Sequence, residues 1–338
     1  MPAIADWTVL VYSSASSDIV KVARQALAEV GRAHRGDRVE IAAQLGTPDA
    51  MQRTDFRRTT QGAPVDMSAP QTLTDFLRWG QQTHPAHHYL VVLGGHASGF
   101  MGAVTSPDRS RVMAPPDMVK AIADSGMHPD VTVLNACLEQ QVGVGLALSQ
   151  VTDFLIGSQA EEHAEGMALG DMVAGLHAGE TPAQVATASA RLAAAPAPRT
   201  WNVSALDLRA LRTTATALDQ VGKAIVDAGQ QSAMRQVMAG LPGYREEPDV
   251  VLNDLKDVGF LSQSLQSAPF APPVRSAAQA LQETLPATVL SSTSHLNPRP
   301  WGLSTWMPTA PSGIPRVDAM YRTLMAQAAP HWVQAVLG

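Results

Sequence analysis

The sequence predicts an α/β fold in which a mostly parallel sheet carries helices on both faces. Short continuous apolar runs, rich in β-branched residues and bounded by turn residues, are typical of strands buried in a parallel sheet. Segments with helical spacing lie between these runs. Strands that alternate with helices imply right-handed crossovers, which place helices on both faces of the sheet. The alternation extends to about residue 160 of the 338.

Five apolar runs are predicted to form the strands of this sheet, and they begin at Trp7, Arg38, Tyr89, Val131 and Asp153. Each run is short enough for a strand and stops at polar or turn-forming residues. The polar segment 51–60 alternates arginine and threonine, so we expect a peripheral hairpin there.

Helices are predicted between the strands. Asp18 is a plausible N-cap for the first of them, whose apolar residues recur at helical spacing: Ile19, Val22, Ala23, Ala26, Leu27 and Val30. Further helices are expected from Leu73 to near Pro85, over 116–123 and over 138–148, the last beginning directly after Cys137. Beyond residue 160 the pattern is mostly helical, over 168–195 and 207–285, and strand-like pieces return at 201–206, 287–292 and 303–307.

Composition limits the classes of function. Apolar residues make up 45% and charged residues 16%, as in ordinary globular proteins. The net charge is −6 without a cluster of lysine and arginine, which argues against nucleic acid or an anionic membrane as a partner. One cysteine cannot form an intramolecular disulfide, and neither a signal peptide nor an apolar run of membrane-spanning length is visible. We therefore expect a cytoplasmic protein.

Two of the predicted strands stop at reactive side chains, one at His96 and the other at Cys137, the only cysteine. Functional groups gather outside the carboxyl ends of strands in open α/β sheets. A thiol attacks carbonyls as the thiolate, so it needs a base, and His96 could take its proton. A helix beginning at Leu138 would favour the anion through its dipole. The main-chain N–H of Ala97 or Ser98, together with that of Cys137, could hold an oxyanion.

Less specific interpretations compete with this one. A lone cysteine is most often a small buried hydrophobe, and a histidine after a strand is most often a loop residue. No metal site is expected, because there is no cysteine pair and the His84, His87 and His88 cluster lacks carboxylates at ligand spacing. No phosphate-binding loop, dinucleotide fingerprint or serine nucleophile elbow is present. The acidic residues Glu161, Glu162 and Glu165 form either a solvated loop or a cation-binding pocket wall.

At its two strand ends the sequence resembles the clostripain family of cysteine peptidases, in the caspase-like clan. That family has a histidine within Asn-His-Gly-Ser-Gly and a later cysteine within Asp-Ala-Cys-Leu. The matching segments are Gly95–Gly99 and Asn135–Leu138, and Cys137 lies 41 positions after His96. Similar stretches are 7–12, 157–166, 202–208 and 301–306. The resemblance implies a caspase-like catalytic core over 1–198, and over 199–338 a helical and β elaboration packed on the same domain.

The resemblance also implies a cysteine endopeptidase with Cys137 as nucleophile and His96 as general base, a dyad without a third residue. It implies a monomer that acts on protein or peptide substrates and has no resident cofactor, although calcium is possible. The family cleaves after arginine or lysine. Its acidic residue two positions before the cysteine is Asn135 here, so we expect altered specificity unless Glu161, Glu162 or Glu165 restores the charge.

Family members mature by a cut in the loop after the histidine strand, where Arg109 and Arg111 are the candidate sites of self-cleavage. The departures Asn135 and Ala97 keep an alternative open, a catalytically inactive caspase-like binding or regulatory module. A third possibility keeps the nucleophile and changes the reaction, as in a transpeptidase or a small-molecule amidase.

Overall fold

The computed structural model describes residues 4–33, 38–194, 202–244, 251–267, 269–310 and 312–338. Thirteen strands occur in these residues: β1 (Ala5–Ser14), β2 (Val39–Gly46), β3 (Met51–Thr54), β4 (Thr59–Gly62), β5 (Ala86–Gly94), β6 (Ala103–Thr105), β7 (Val112–Met113), β8 (Val131–Asn135), β9 (Phe154–Gly157), β10 (Asn202–Asp207), β11 (Leu255–Asp257), β12 (Val289–Ser294) and β13 (Ser304–Trp306).

Twelve α-helices accompany the strands in the same residues: α1 (Val20–Ala33), α2 (Pro70–Thr83), α3 (Pro115–Ser125), α4 (Val142–Leu148), α5 (Leu169–Ala174), α6 (Pro182–Ala193), α7 (Leu208–Asp227), α8 (Gln231–Gly240), α9 (Val258–Ser267), α10 (Pro272–Thr288), α11 (Pro315–Met325) and α12 (Pro330–Leu337). Local sequence explains several of their ends. Helix α3 begins with proline and stops at Gly126 in the left-handed conformation, and α6 begins with a capping box between Thr181 and Gln184.

Nine strands form one sheet in the order β12-β10-β9-β8-β5-β1-β2-β3-β4. The five central strands, β9, β8, β5, β1 and β2, are parallel to one another, and antiparallel pairs extend the sheet at both edges. The hairpin predicted over 51–60 is the edge pair β3 and β4. The predicted class, a mostly parallel sheet with helices, is confirmed.

Helices cover both faces of the sheet because the side chains of each strand alternate. In β1, Leu10 and Tyr12 belong to one buried core, while Val9 and Val11 belong to the other. Helices α2–α4 and α7–α12 contribute to the first core, and α1, α5 and α6 contribute to the second.

Strands from the second half of the chain, β10 and β12, continue the central sheet. The division into 1–198 and 199–338 stays a prediction. The boundary between these two parts lies outside the described residues. So do residue 195, which ends the predicted helical segment 168–195, and residue 201, which begins the strand-like piece 201–206. Residues 245–250 and 268 of the predicted helical segment 207–285 also lie outside them. Among the described helices, none is both long and apolar enough to cross a membrane.

Candidate active site

The strand register brings the two predicted catalytic residues to the same edge of the sheet. Gly94, the last residue of β5, pairs with Asn135, the last residue of β8. His96 and Cys137 each follow this pair by two residues, so they leave adjacent parallel strands at the same level. Both residues line two cavities at this edge.

One cavity, of about 90 Å³, lies between α1 and the segment 162–166, and we call it the small cavity. The other, of about 590 Å³, is lined also by Ala97, Glu161 and the turn 109–112, and we call it the large cavity. The apolar side of α1 forms one wall of the small cavity, through residues of the predicted helical stripe: Ile19, Val22, Ala23, Ala26, Leu27 and Val30.

Backbone contacts hold the histidine. Gly95 has a φ of +146°, and a Cβ placed there would lie 2.8 Å from the carbonyl oxygen of Ser14, so this position requires glycine. The carbonyl oxygen of His96 accepts hydrogen bonds from the N–H and the hydroxyl of Thr105, at 3.2 and 2.8 Å. The first strand and the short hairpin β6–β7 therefore fix the backbone around His96.

A carboxylate that the sequence assigned to another role contacts His96. The Oδ2 atom of Asp18 lies 2.9 Å from Nε2 of His96 and 3.3 Å from a guanidinium nitrogen of Arg109. The Oδ1 atom of Asp18 accepts a hydrogen bond of 2.5 Å from the Ser16 hydroxyl. This bond, and then the nearby His96, lower the pKa of Asp18. Asp18 was predicted to cap α1, and its carboxylate instead joins the site.

The prediction that a helix begins at Leu138 is wrong, because α4 begins at Val142. Leu138 has a φ of +65°, and its N–H donates to the carbonyl oxygen of Ala160. The N–H of Gln140 donates to Ser158, and the carbonyl oxygen of Gln140 accepts from Ser304. These partners outside the helix keep residues 138–141 non-helical, so the expected dipole at Cys137 is lost.

Cys137 is packed against the segment that follows β9. The N–H of Glu162 points to its sulfur, with a nitrogen–sulfur distance of 3.3 Å. Burial raises the pKa of the Cys137 thiol to about 11. The resting thiol is therefore neutral at ordinary pH, and its attack on a carbonyl requires a base.

The two alternatives for the oxyanion site separate in the structure. The N–H of Ser98 already donates to the carbonyl oxygen of Gly102 at 2.9 Å, so it is occupied. Ala97 lines the large cavity together with Cys137. The assignment of the Ala97 and Cys137 N–H groups stays a prediction.

The four predicted substrate-binding residues lie near Cys137 but not in one cluster. Asn135 lines the small cavity, and its Oδ1 accepts a hydrogen bond of 2.8 Å from the N–H of Met167. Glu162 lines the same cavity, and burial raises its pKa well above the usual range. Glu165 is exposed at this cavity, whereas Glu161 lines the large one.

The candidate cleavage sites Arg109 and Arg111 lie in the turn between β6 and β7, on the large cavity. The N–H of Arg109 donates to Ser106, and the N–H of Ser106 donates to Arg111, both at 2.8 Å, so the turn is closed. Arg111 pairs with Asp66 at 3.0 Å. No group of three potential metal ligands occurs in the described part of the chain, and the expectations about cofactors and calcium stay untested.

The fold resembles solved structures of C11 cysteine proteases. A secreted C11 cysteine protease from Bacteroides thetaiotaomicron is 15% identical with a TM-score of 0.72, over 99% of this chain and 100% of that one. A structure of a secreted C11 cysteine protease from Bacteroides thetaiotaomicron in complex with an irreversible peptide inhibitor is 18% identical with a TM-score of 0.71, over 98% of this chain and 99% of that one. An inactive zymogen C11 protease from Parabacteroides distasonis is 18% identical with a TM-score of 0.71, over 100% of both chains. The likeness confirms the caspase-like fold predicted from the sequence.

These structures correct the expected location. The prediction of a cytoplasmic protein was drawn from the single cysteine and from the lack of a visible signal peptide. It is wrong, because a structural relative that matches over its whole length is secreted. This fold therefore occurs in a secreted protein, and the cysteine count of this chain does not decide its compartment.

The family can be read from the sequence directly. The sequence model of the clostripain family, Peptidase C11, matches residues 46–268, about two thirds of the chain, and this range includes both His96 and Cys137. A comparison with curated protein sequences found no match. The family match agrees with the resemblance at the two strand ends, and the chain belongs to the clostripain family of cysteine proteases.

Proposed function

We propose that this protein is a cysteine endopeptidase in which Cys137 is the nucleophile and His96 the general base. The observation that carries the proposal is the register of β5 and β8, which places both residues two positions beyond the paired Gly94 and Asn135. Their common exposure to both cavities offers space for a peptide at the same place. A protein or peptide is therefore the proposed substrate, and the monomeric state stays a prediction.

The chemistry follows from the neutral thiol. His96 takes the thiol proton while Sγ forms a bond with the scissile carbonyl carbon, and the N–H groups of Ala97 and Cys137 hold the oxyanion. His96 then returns the proton to the leaving amine as the C–N bond breaks. Water, deprotonated by His96, hydrolyses the thioester and restores the thiol. Because burial raises the pKa of Cys137 to about 11, the base is needed from the first step.

We propose further that the residue before the cut is small and aliphatic rather than basic. One wall of the small cavity is the apolar side of α1, the carboxyl oxygens of Glu162 are buried and its pKa is raised by that burial, and the Asn135 oxygen already accepts a hydrogen bond from Met167. A carboxyl whose pKa is raised by burial and an amide oxygen that already accepts a hydrogen bond are poor partners for a guanidinium inside the cavity. Among the described residues that line the small cavity, Glu165 at the exposed rim is the remaining carboxylate for a basic residue.

The size of the small cavity agrees with this specificity. A cavity of about 150 Å³ holds benzene, which corresponds to about 25 Å³ for each carbon atom. A cavity of about 90 Å³ therefore accommodates about three to four carbon atoms. This is the size of a valine or leucine side chain.

If this protein cleaves after small aliphatic residues, a cut after Arg109 or Arg111 would be made by a different protease, one that cleaves after basic residues. We propose that such a cut opens the closed turn on the large cavity and widens access to Cys137. Treatment with trypsin would mimic it.

The test is a panel of fluorogenic peptides with Val, Leu, Arg, Lys or Asp before the cut, before and after limited trypsin treatment and removal of trypsin. We expect cleavage after Val or Leu, and its loss in Cys137→Ala and His96→Ala. Preferred cleavage after arginine would overturn the aliphatic specificity alone. If no peptide is cleaved in any form, the peptidase proposal fails and the alternative, an inactive binding or regulatory module, takes its place.

A matched pair of variants tests the cavity itself. Ala26→Leu fills the small cavity, while Ala28→Leu adds the same volume on the exposed side of α1. We expect Ala26→Leu to lower kcat/KM for leucine peptides by about 10-fold or more, in the range of the 1–3 kcal/mol that one methylene is worth in a pocket. Ala28→Leu should leave kcat/KM unchanged, and equal effects of the two variants would contradict the assignment of the cavity.

A further inference from the structure

The strand order places a carboxylate beside the proposed base. Strand β1 is the direct parallel neighbour of β5, and Ser13 pairs with Gly94. Asp18 follows the end of β1 as His96 follows the end of β5, so both emerge at the same edge of the sheet. They are 78 residues apart in sequence. The contact therefore depends on this strand order.

A hydrogen bond from Ser16 orients the Asp18 carboxylate, and the backbone of the turn holds Ser16 in place. The Ser16 hydroxyl donates to Oδ1, and the carbonyl oxygen of Ser16 accepts from the N–H groups of Ile19 and Val20 at the start of α1. The turn between β1 and α1 thus holds one carboxylate oxygen. The other, Oδ2, lies 2.9 Å from Nε2 of His96.

This geometry selects one form of the imidazole. An ionised carboxylate can only accept a hydrogen bond, so Nε2 of His96 must carry the proton in the pair. In the neutral imidazole the lone pair is then on Nδ1. A base needs a nitrogen without a proton, and the contact with Asp18 makes that nitrogen Nδ1.

We infer that Asp18 is a positioning residue of this site, which fixes the tautomer and the orientation of His96 so that Nδ1 accepts the thiol proton of Cys137. The inference rests on the proposed peptidase function. It replaces the dyad expected from the family with a chain of three groups, in which Asp18 contacts neither substrate nor nucleophile.

Arg109 shares the oxygen that His96 uses, at 3.3 Å from Oδ2 of Asp18. Its side chain is 60% exposed, so its attraction to the carboxylate is weakened by solvent. Removal of Arg109 should leave the bond between Asp18 and His96 in place. This makes Arg109→Gln a useful comparison with Asp18 variants.

The first experiment reads the tautomer without any substrate. The ¹⁵N shifts of the imidazole nitrogens are measured on full-length protein labelled at histidine, and the His96 signals are identified by their loss in His96→Gln. We expect Nε2–H with a bare Nδ1 in the parent protein and in Arg109→Gln, and a mixture of tautomers in Asp18→Ala. An unchanged tautomer in Asp18→Ala would overturn the inference.

The second experiment measures kcat and KM on the best peptide of the panel. We expect Asp18→Ala to lower kcat by about 10- to 100-fold, because a misplaced base loses about that much, while KM changes less than about 2-fold. Asp18→Glu, which restores a carboxylate, should recover part of kcat. The control is Asp66→Asn, which weakens the analogous pair with Arg111 on the same turn.

The outcomes separate this inference from the peptidase proposal. If Asp66→Asn lowers kcat as much as Asp18→Ala, the effect comes from the turn and the inference is wrong. If Asp18→Ala retains the parent kcat, the inference is wrong while the peptidase stands. If the parent protein shows no activity and all variants, Cys137→Ala included, behave like it, the peptidase proposal fails. The tautomer measurement then still decides whether Asp18 orients His96.

Discussion

The two strand ends that form the site are built differently. On the cysteine side, Glu139, Gln140 and Gln141 are at most 1% exposed, and the backbone of Gln140 is bonded to the segment after β9 and to β13. On the histidine side, the His96 side chain is 33% exposed and is held by a glycine turn and Asp18. The segment that follows the nucleophile thus belongs to the core, whereas Cys137 itself is half-buried, and the base lies on a more exposed segment. We expect changes in the buried segment after Cys137 to act mainly on stability, and changes around His96 to act mainly on activity.

The largest expected effect concerns the reactivity of the cysteine side. Burial raises the pKa of Cys137 to about 11. At pH values below this pKa, the thiolate fraction should therefore increase about tenfold for each unit by which the pH is raised. The rate of alkylation by iodoacetamide, followed by mass spectrometry of the intact chain, should therefore increase about 1,000-fold between pH 7 and pH 10.

The His96→Gln variant distinguishes a buried neutral thiol from a preformed ion pair. A neutral resting thiol gives the same profile in the parent and in this variant. A plateau near neutral pH that disappears in His96→Gln would instead mean that the two residues form an ion pair at rest, and the contrast between the two sides would be smaller than we infer.

The next effect is expected on the histidine side. Gly95→Ala forces a Cβ to 2.8 Å from the Ser14 carbonyl at a φ of +146°, which should move His96 and lower kcat about 100-fold, with about 1–3 kcal/mol lost in the free energy of unfolding. Gly126→Ala is the control, since its φ is also positive but no atom lies within 4 Å of the added Cβ. Full activity in Gly95→Ala would contradict a fixed histidine backbone.

A pair of side-chain truncations compares stability on the two sides. The Gln140 side chain donates to the carbonyl oxygen of Ser204 at 2.8 Å in the core, so Gln140→Ala should cost about 2–3 kcal/mol by urea denaturation. Thr105→Val removes the hydroxyl that donates to the His96 carbonyl oxygen, which still accepts a hydrogen bond from the N–H of residue 105. This variant should lose about 0.5–1 kcal/mol in the free energy of unfolding. Similar losses for both variants would remove the contrast in stability.

The smallest effect depends on pH. Burial raises the pKa of Glu139 well above its usual range, so the folded state holds its proton more tightly than the unfolded chain. Stability from this group is complete below the unfolded pKa and is lost as the pH rises through the folded pKa. Glu139→Gln should therefore raise Tm over the parent by about 2 °C or more at pH 8, and by less at pH 5. A constant difference in Tm across this range would contradict a raised pKa of the buried Glu139 carboxyl.

Much of the fold could be predicted because its signals are local. The apolar run beginning at Trp7 is β1, and the helical stripe around Val22 is α1, because each depends on residues close in sequence. The same holds for His96 and Cys137, whose positions at strand ends follow from the runs before them. The start of α4 could not be predicted. Residues 138–141 have the composition of a helix, but their backbone groups pair with residues 158–160 and 304, which are distant in sequence.

The sequence by itself determined the α/β class, the family, and the two reactive residues at strand ends, because apolar periodicity and short motifs are properties of contiguous residues. Only the tertiary structure decided that β1 lies beside β5, that Asp18 therefore contacts His96, and that Cys137 is buried enough to raise its pKa. It also decided that Glu161 and Glu162 line different cavities. The physical reason is that strand order and burial depend on contacts between segments far apart in the chain, which no local pattern encodes.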